Sequence, residues 1–185
     1  MKPIEEVYSF VESSDFITIG YNSFSESFKD EFISKLPILR LSEVSSSFDF
    51  DDIINSIKRS FRERRLVSLL NDDTVEDLMI KFDFLVIDYS YFEVEMKNIQ
   101  GGMMGAEIFK SRKFDSLRSQ AIRDGFKIIY TSSLYRNVAD SQNIIKGGRH
   151  PLYVSDLVLY MTEDGISIIK NRYGHQKTFS LNELK

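Results

Sequence analysis

The run Phe82 to Phe92, FDFLVIDYSYF, constrains this chain more than any other stretch. Five apolar or aromatic residues (Phe82, Phe84, Leu85, Val86 and Ile87) lead into Asp88 and a polar-aromatic tail. A nearly continuous apolar run of this length is the pattern of a central parallel strand, because helices cover both of its faces. Such a strand delivers Asp88 to the crevice outside the carboxyl end of the sheet, where open α/β folds bind ligands. A carboxylate there can hold Mg²⁺ directly or through water. Alternatively, Asp88 caps a turn or pairs with a base.

With 185 residues, 42% hydrophobic and 13% aromatic, the chain can bury one sizeable core. One domain over 1–185 is expected, with residues 1–13 as an amino-terminal helical arm. The absence of cysteine removes disulfides and thiolate metal sites, and the two histidines lie far apart, which argues against zinc. No apolar run approaches the roughly 18 to 20 residues that span a bilayer, and the acidic amino terminus lacks a signal-peptide core. A cytoplasmic protein with no membrane partner is expected. The net charge of −4 gives no general attraction to nucleic acid, so binding would require a local basic patch.

Along the chain, Ile4, Val7, Tyr8 and Val11 share one face of a helix opened by Pro3. That face packs on its own domain or on a neighbouring molecule. Phe16 to Ile19 reads as a core strand ending at Gly20, and an amphipathic helix with Phe28, Phe32, Ile33 and Leu36 follows. Ile38 to Leu41 is a second strand. The next helical region carries the basic cluster Lys58, Arg59, Arg62, Arg64 and Arg65, read as a solvated face. A further helix starts near Thr74 with a capping-box pattern to Asp77. After the Asp88 strand come a loop over 96–105, a helix over Ala106 to Asp124 stopped by Gly125, and a strand over Phe126 to Thr131. A second loop covers Asn137 to Pro151. The strand Val154 to Met161 then turns at Glu163-Asp164-Gly165 into a hairpin over Ile166 to Lys170, and Thr178 to Leu181 ends the pattern.

The strand, glycine-led loop and helix over residues 16–36 form the frame of a phosphate-binding loop, GxxxxGK[ST], with Gly20 at the first glycine and Ser27 at the final hydroxyl. Ser25 stands where the second glycine belongs, and Glu26 where the lysine belongs. A carboxylate at that place repels a triphosphate, and a side chain at residue 25 obstructs close backbone approach. A generic strand-to-helix loop is the alternative reading.

In order, these pieces resemble the RecA-like ATPase core, and within it the DnaB-type replicative helicases, from about Ser14 to the end. Gly20 to Ser27 is similar to a degenerate Walker A, and Ile87-Asp88-Tyr89 to the Walker B strand. Ser111-Arg112 matches a helix of that family. Thr131-Ser132-Ser133-Leu134-Tyr135-Arg136 resembles its sensor run, with Ser132 and Ser133 in the sensor positions and Ser133 in place of a glutamine. Asp156 to Tyr160 resembles the strand after the second loop, and Lys170-Asn171-Arg172-Tyr173-Gly174 the element that reaches the nucleotide of an adjacent subunit. Glu43 stands close to the position of the catalytic glutamate.

The resemblance implies a mainly parallel sheet flanked by helices, with a carboxyl-terminal hairpin. It implies a pseudo-ATPase acting in DNA replication or recombination through a related ATPase or helicase, its own copies, or single-stranded DNA. Lys170 and Arg172 would be finger-like residues acting in trans. Lys97, Arg136, Lys146 and Arg149 would contact DNA phosphates. No cofactor is implied, with Mg-ATP only if the atypical loop works and Asp88 then the metal ligand. Three readings stand beside it: an active ATPase or helicase with an unusual loop, a Mg²⁺ nuclease built on Asp83, Asp88, Glu93 and Glu95, and an interaction protein in which these polar features are structural. Opposite facing of Asp83 and Asp88 along one strand disfavours the nuclease.

Overall fold

The computed structural model describes residues 2–36, 38–40, 84–90, 93, 101–172, 174 and 176–185. Its core is built around the first strand, β1 (Phe16–Tyr21), whose residues through Gly20 are all buried. Phe16 faces Phe114, Leu117 and Ala121 on one side, while Ile17 and Ile19 face Val7, Val11, Phe32 and Ile33 on the other. A strand apolar on both faces needs a layer on each, and helices supply both.

The elements run α1 (Pro3–Glu12), β1, α2 (Glu26–Ser34), β2 (Ile38–Arg40), β3 (Phe84–Asp88), α3 (Gly102–Asp124), β4 (Lys127–Arg136), β5 (Asn143–Ile145), α4 (His150–Val154), β6 (Leu157–Thr162), β7 (Gly165–Asn171), β8 (Lys177–Ser180) and α5 (Leu181–Leu184). The sheet order is β2-β3-β4-β1-β6-β7-β8, with β5 pairing only with β4. Strands β2, β3, β4, β1 and β6 are mutually parallel. Strands β7 and β8 add antiparallel as the expected hairpin.

Helix α1 lies against α2 and the sheet. The Tyr8 ring stacks on Phe32 with centroids 4.4 Å apart, its hydroxyl donates to the Phe32 carbonyl at 2.9 Å, and Lys177 pairs with Glu6 at 3.0 Å. Burial, followed by the nearby Glu31 charge, pushes the Tyr8 hydroxyl up to about 12. The face marked out by Ile4, Val7, Tyr8 and Val11 is therefore covered within the chain.

Several sequence boundaries differ from the structure, among them the last strand, which ends at Ser180 because Leu181 opens α5. Strand β1 continues through Gly20 to Tyr21, because both residues pair with β4 and β6. Helix α3 starts at Gly102, inside the expected 96–105 loop, with Gly101 left-handed at its cap. Strand β4 runs on to Arg136, since β5, inside the expected 137–151 loop, pairs with its end. Residues 150–154 form α4, which takes up the end of the expected 137–151 loop and the first residue of the expected strand, so that β6 starts only at Leu157; Pro151 suits the first turn of α4. The basic cluster at 58–65 and the Thr74 helix lie outside the described residues.

Asp156, just before β6, joins several elements. The residue is 5% exposed, and its carboxylate accepts the Asp15 and Phe16 amides at 3.1 and 3.2 Å and Arg118 at 3.0 Å. Burial opposes its charge, but Arg118 and the two amides hold the carboxyl below the ordinary value of 3.8. The stability this group contributes is complete above 3.8 and is lost as pH falls through that value and then the lower folded one. Asp156→Ala should cost about 3 kcal/mol at pH 7, because Arg118 loses its carboxylate and keeps only the Val154 carbonyl, while the Asp15 and Phe16 amides lose their side-chain acceptor. The urea-unfolding gap between wild type and variant should begin to narrow as pH falls below about 4 and go on narrowing through the lower folded value.

Candidate functional site

The carboxyl ends of β1, β3, β4 and β6 define one edge of the sheet, and the loop from β1 into α2 lies on it. Gly20 is part of β1, paired with Ser132 and Tyr160, and a Cβ there would meet Leu134 Cδ2 at 2.5 Å. Its missing side chain makes room for β4. The loop itself spans only residues 22–25.

The loop is closed by its own side chains. Asn22 Oδ1 accepts the amides of Phe24 at 3.1 Å and Ser25 at 3.0 Å. Asn22 Nδ2 donates to Glu163 at 2.6 Å, and the Ser25 hydroxyl donates to the Met161 carbonyl at 2.7 Å. Two backbone donors of the kind that cradle an anion are thus engaged by Asn22, and Ser25, 1% exposed, ties the loop to β6. Phe24 stands out at the tip, 78% exposed. Glu26 and Ser27 are exposed in the first turn of α2, where an acid favours the positive helix end.

Asp88 ends β3 as expected. One of its oxygens accepts Thr131 Oγ1 at 2.7 Å and the Tyr21 hydroxyl at 3.3 Å, and the other accepts the Ser90 amide at 3.0 Å. Burial first, then the Asp88 charge, pushes the Tyr21 hydroxyl far up, so Tyr21 stays a donor. Lys29, 7% exposed, places its ammonium 3.8 Å from the Tyr21 ring centroid and 3.2 Å from Asp30. Lys29, Tyr21, Asp88 and Thr131 thereby link α2, β1, β3 and β4 across the edge. Among the described residues no group of three His, Asp or Glu is placed to hold a metal.

The neighbouring loop is also anchored. Ser132 Oγ donates to the Lys146 carbonyl at 2.7 Å, and buried Lys110 holds the Gly147 carbonyl at 3.0 Å while pairing with Glu107. Lys146 pairs with Glu93 and lies 5.3 Å from the Tyr89 ring centroid. Its hydrogen bond to Glu93 raises its pKa. Arg136 contacts the Ser141 carbonyl at 3.4 Å, Arg149 is exposed, and Ser133 is partly buried at the β1 edge. Glu43, Lys97, Asp83 and Glu95 lie outside the described residues.

Lys170 and Arg172 lie at the opposite edge. Strand β7 runs antiparallel to β6, so Lys170 and Asn171 sit beside Val158 and Leu157, at the amino end of β6. A six-residue strand such as β1 spans about 20 Å, so these residues and Asp88 face away from each other across the sheet. Lys170 donates to the Leu152 and Tyr153 carbonyls, both at 3.0 Å, and its burial there lowers its pKa. Arg172 reaches to 3.8 Å from Asp156 with its side chain 63% exposed.

Asn22, Tyr21, Lys29 and Thr131 were not singled out by motif. The spacing does mark Lys29: with Phe32 and Ile33 it occupies i, i+3 and i+4 on the apolar face of α2, and Leu36 just beyond the helix continues the pattern.

No protein-family model and no curated protein matches the sequence. Among solved structures, an ATPase domain is similar over 92% of this chain and 82% of that one, with a TM-score of 0.52 and 13% sequence identity. Asn22→Ala should free the Phe24 amide, leave the Ser25 amide only its 3.2 Å bond to the residue-22 carbonyl, and lower stability by about 1 kcal/mol, read as a fall in the urea midpoint. With β1 between β4 and β6, helices on both faces and this likeness, the fold of the chain is RecA-like.

Proposed function

We propose that this protein is a catalytically degenerate RecA/DnaB-like protein that acts in DNA replication or recombination by binding a partner ATPase, its own copies or DNA. The observation that carries the reading is the occupied loop: the Phe24 and Ser25 amides go to Asn22, and Ser25 is held by Met161. A triphosphate entering there must displace these bonds and meet Glu26, whose charge opposes it. The remaining RecA-like scaffold, with Asp88 at one edge and Arg172 at the other, suits a part that works against a neighbouring molecule. The likeness to a solved ATPase domain agrees with this frame.

The alternative is an active ATPase with an atypical loop, and one observation favours it. Lys29 lies one helical turn beyond Glu26, with its ammonium over Tyr21 and hence toward the Asp88 edge. Its contacts with Asp30 and the Tyr21 ring already engage that charge. A purely structural interaction protein is the third reading, and it leaves Arg172→Ala without effect on any partner.

Calorimetric titration with Mg-ATP separates them. The natural protein should release no binding heat, whereas the Asn22→Gly, Ser25→Gly, Glu26→Lys variant should bind. Binding by the natural protein that is lost in Lys29→Ala would move the active enzyme to the front. For DNA, a fluorescent single strand should bind weakly at low salt and dissociate as salt rises, with Arg149→Ala reducing the slope. No binding even at low salt would remove DNA from the reading.

A further inference from the structure

Helices α3 and α4 meet across three polar side chains that the degenerate site does not use. Ser111 and Asp115 stand one turn apart on α3, so both project from the same face. His150, which opens α4, bridges them: its Nδ1 is 3.3 Å from the Ser111 hydroxyl and its Nε2 is 3.3 Å from the Asp115 carboxylate. The Phe114 ring lies 6.2 Å from the imidazole, and the His150 side chain stays 26% exposed. When Nε2 carries the ring proton and donates to Asp115, Nδ1 is left as an acceptor facing Ser111. A hydroxyl, an imidazole and a carboxylate linked in that order are the parts of an activated serine nucleophile, recognised by geometry rather than by sequence position. Ile108 and Met104, 45% and 75% exposed, continue the Ser111 face of α3 toward its amino end. Such an apolar strip suits the hydrocarbon part of a substrate.

From this we infer that Ser111, His150 and Asp115 form an acyl-transfer site that hydrolyses small apolar esters with good leaving groups, such as aryl esters. Ser111 Oγ attacks the ester carbonyl carbon while its proton passes to His150 Nδ1. The bond to the leaving oxygen then breaks, and His150 returns the proton to the departing alcohol, which leaves an acyl-serine. Water attacks that acyl carbon and gives a proton to His150, which hands it to Ser111 Oγ as the carboxylic acid departs. Water is the only co-reactant. Asp115 touches neither the substrate nor the reacting atoms; it is a positioning residue that holds the imidazole in the productive tautomer. The demand for a good leaving group follows from the helix. As an interior residue of α3, Ser111 keeps its amide in the helical ladder and cannot aim it at the oxyanion, so exposed Arg149, next to His150 in the chain, is the cation left to meet that charge.

Rapid mixing of the full chain with p-nitrophenyl acetate tests this. p-Nitrophenolate should appear in a burst equal to the protein concentration, followed by slower turnover, and peptide mapping should find the acetyl group on Ser111. Ser111→Ala and His150→Gln should each lower the rate at least about tenfold. Asp115→Asn should lower kcat by roughly the same factor with KM nearly unchanged, because the ester does not touch that residue. A fluorophosphonate probe on the natural protein, which requires no variant to fold, should label Ser111. Acetyl groups confined to lysines, a probe that leaves Ser111 unlabelled, or a Ser111→Ala variant as fast as the natural protein would overturn the inference. An Asp115→Asn variant with unchanged kcat would overturn the positioning role.

Discussion

Strand β1 is hydrogen-bonded on both sides, to β4 and to β6, and is buried on both faces. This double constraint governs the rest of the structure. It makes Gly20 a packing residue against Leu134, carries the strand on to Tyr21, and leaves few residues in which to turn into α2. A short turn must satisfy its own amides, and Asn22 does so with its carboxamide oxygen. The same residues that make the strand central therefore also close the loop. The polar chemistry of the edge is left to Tyr21, Lys29, Asp88 and Thr131.

The opposite edge depends on Asp156 in a comparable way. Its carboxylate draws Arg118 and Arg172 together and fixes the start of β1 through two amides, so a cationic surface forms around a buried acid. Lys170 is spent on the carbonyls ending α4, which leaves Arg172 as the more available of the two. The parallel strands thus separate the Asp88 edge from the Arg172 edge by their own length.

Much of the fold was legible in the sequence because parallel strands buried on both faces are written as apolar runs. Phe16 to Ile19, the Asp88 run and Phe126 to Thr131 stand out by that signal, and the Glu163-Asp164-Gly165 turn marks the final antiparallel hairpin. What was illegible depended on contacts between distant residues. Nothing local marks Asn143 to Ile145 as a strand until β4 extends to meet it, and a proline at residue 151 reads as a loop until a short helix forms around it. For the site, motif reasoning placed Asp88 at the end of its strand. The GxxxxGK[ST] pattern puts Gly20 in a loop, whereas pairing with Ser132 and Tyr160, invisible to a local motif, keeps that residue in β1. The role of Asn22 could not be read, since an asparagine in a turn closes its own backbone or leaves it open depending on geometry alone.

Whether the loop after β1 is filled by its own side chain and holds no nucleotide is decided by a crystal structure grown with a non-hydrolysable ATP analogue and Mg²⁺. Asn22 Oδ1 should keep the amides of Phe24 and Ser25, with no phosphate density between α2 and Asp88. Triphosphate density at the amino end of α2, with Asn22 swung away and Lys29 turned toward the phosphates, would make the loop a working nucleotide site and the degenerate reading wrong.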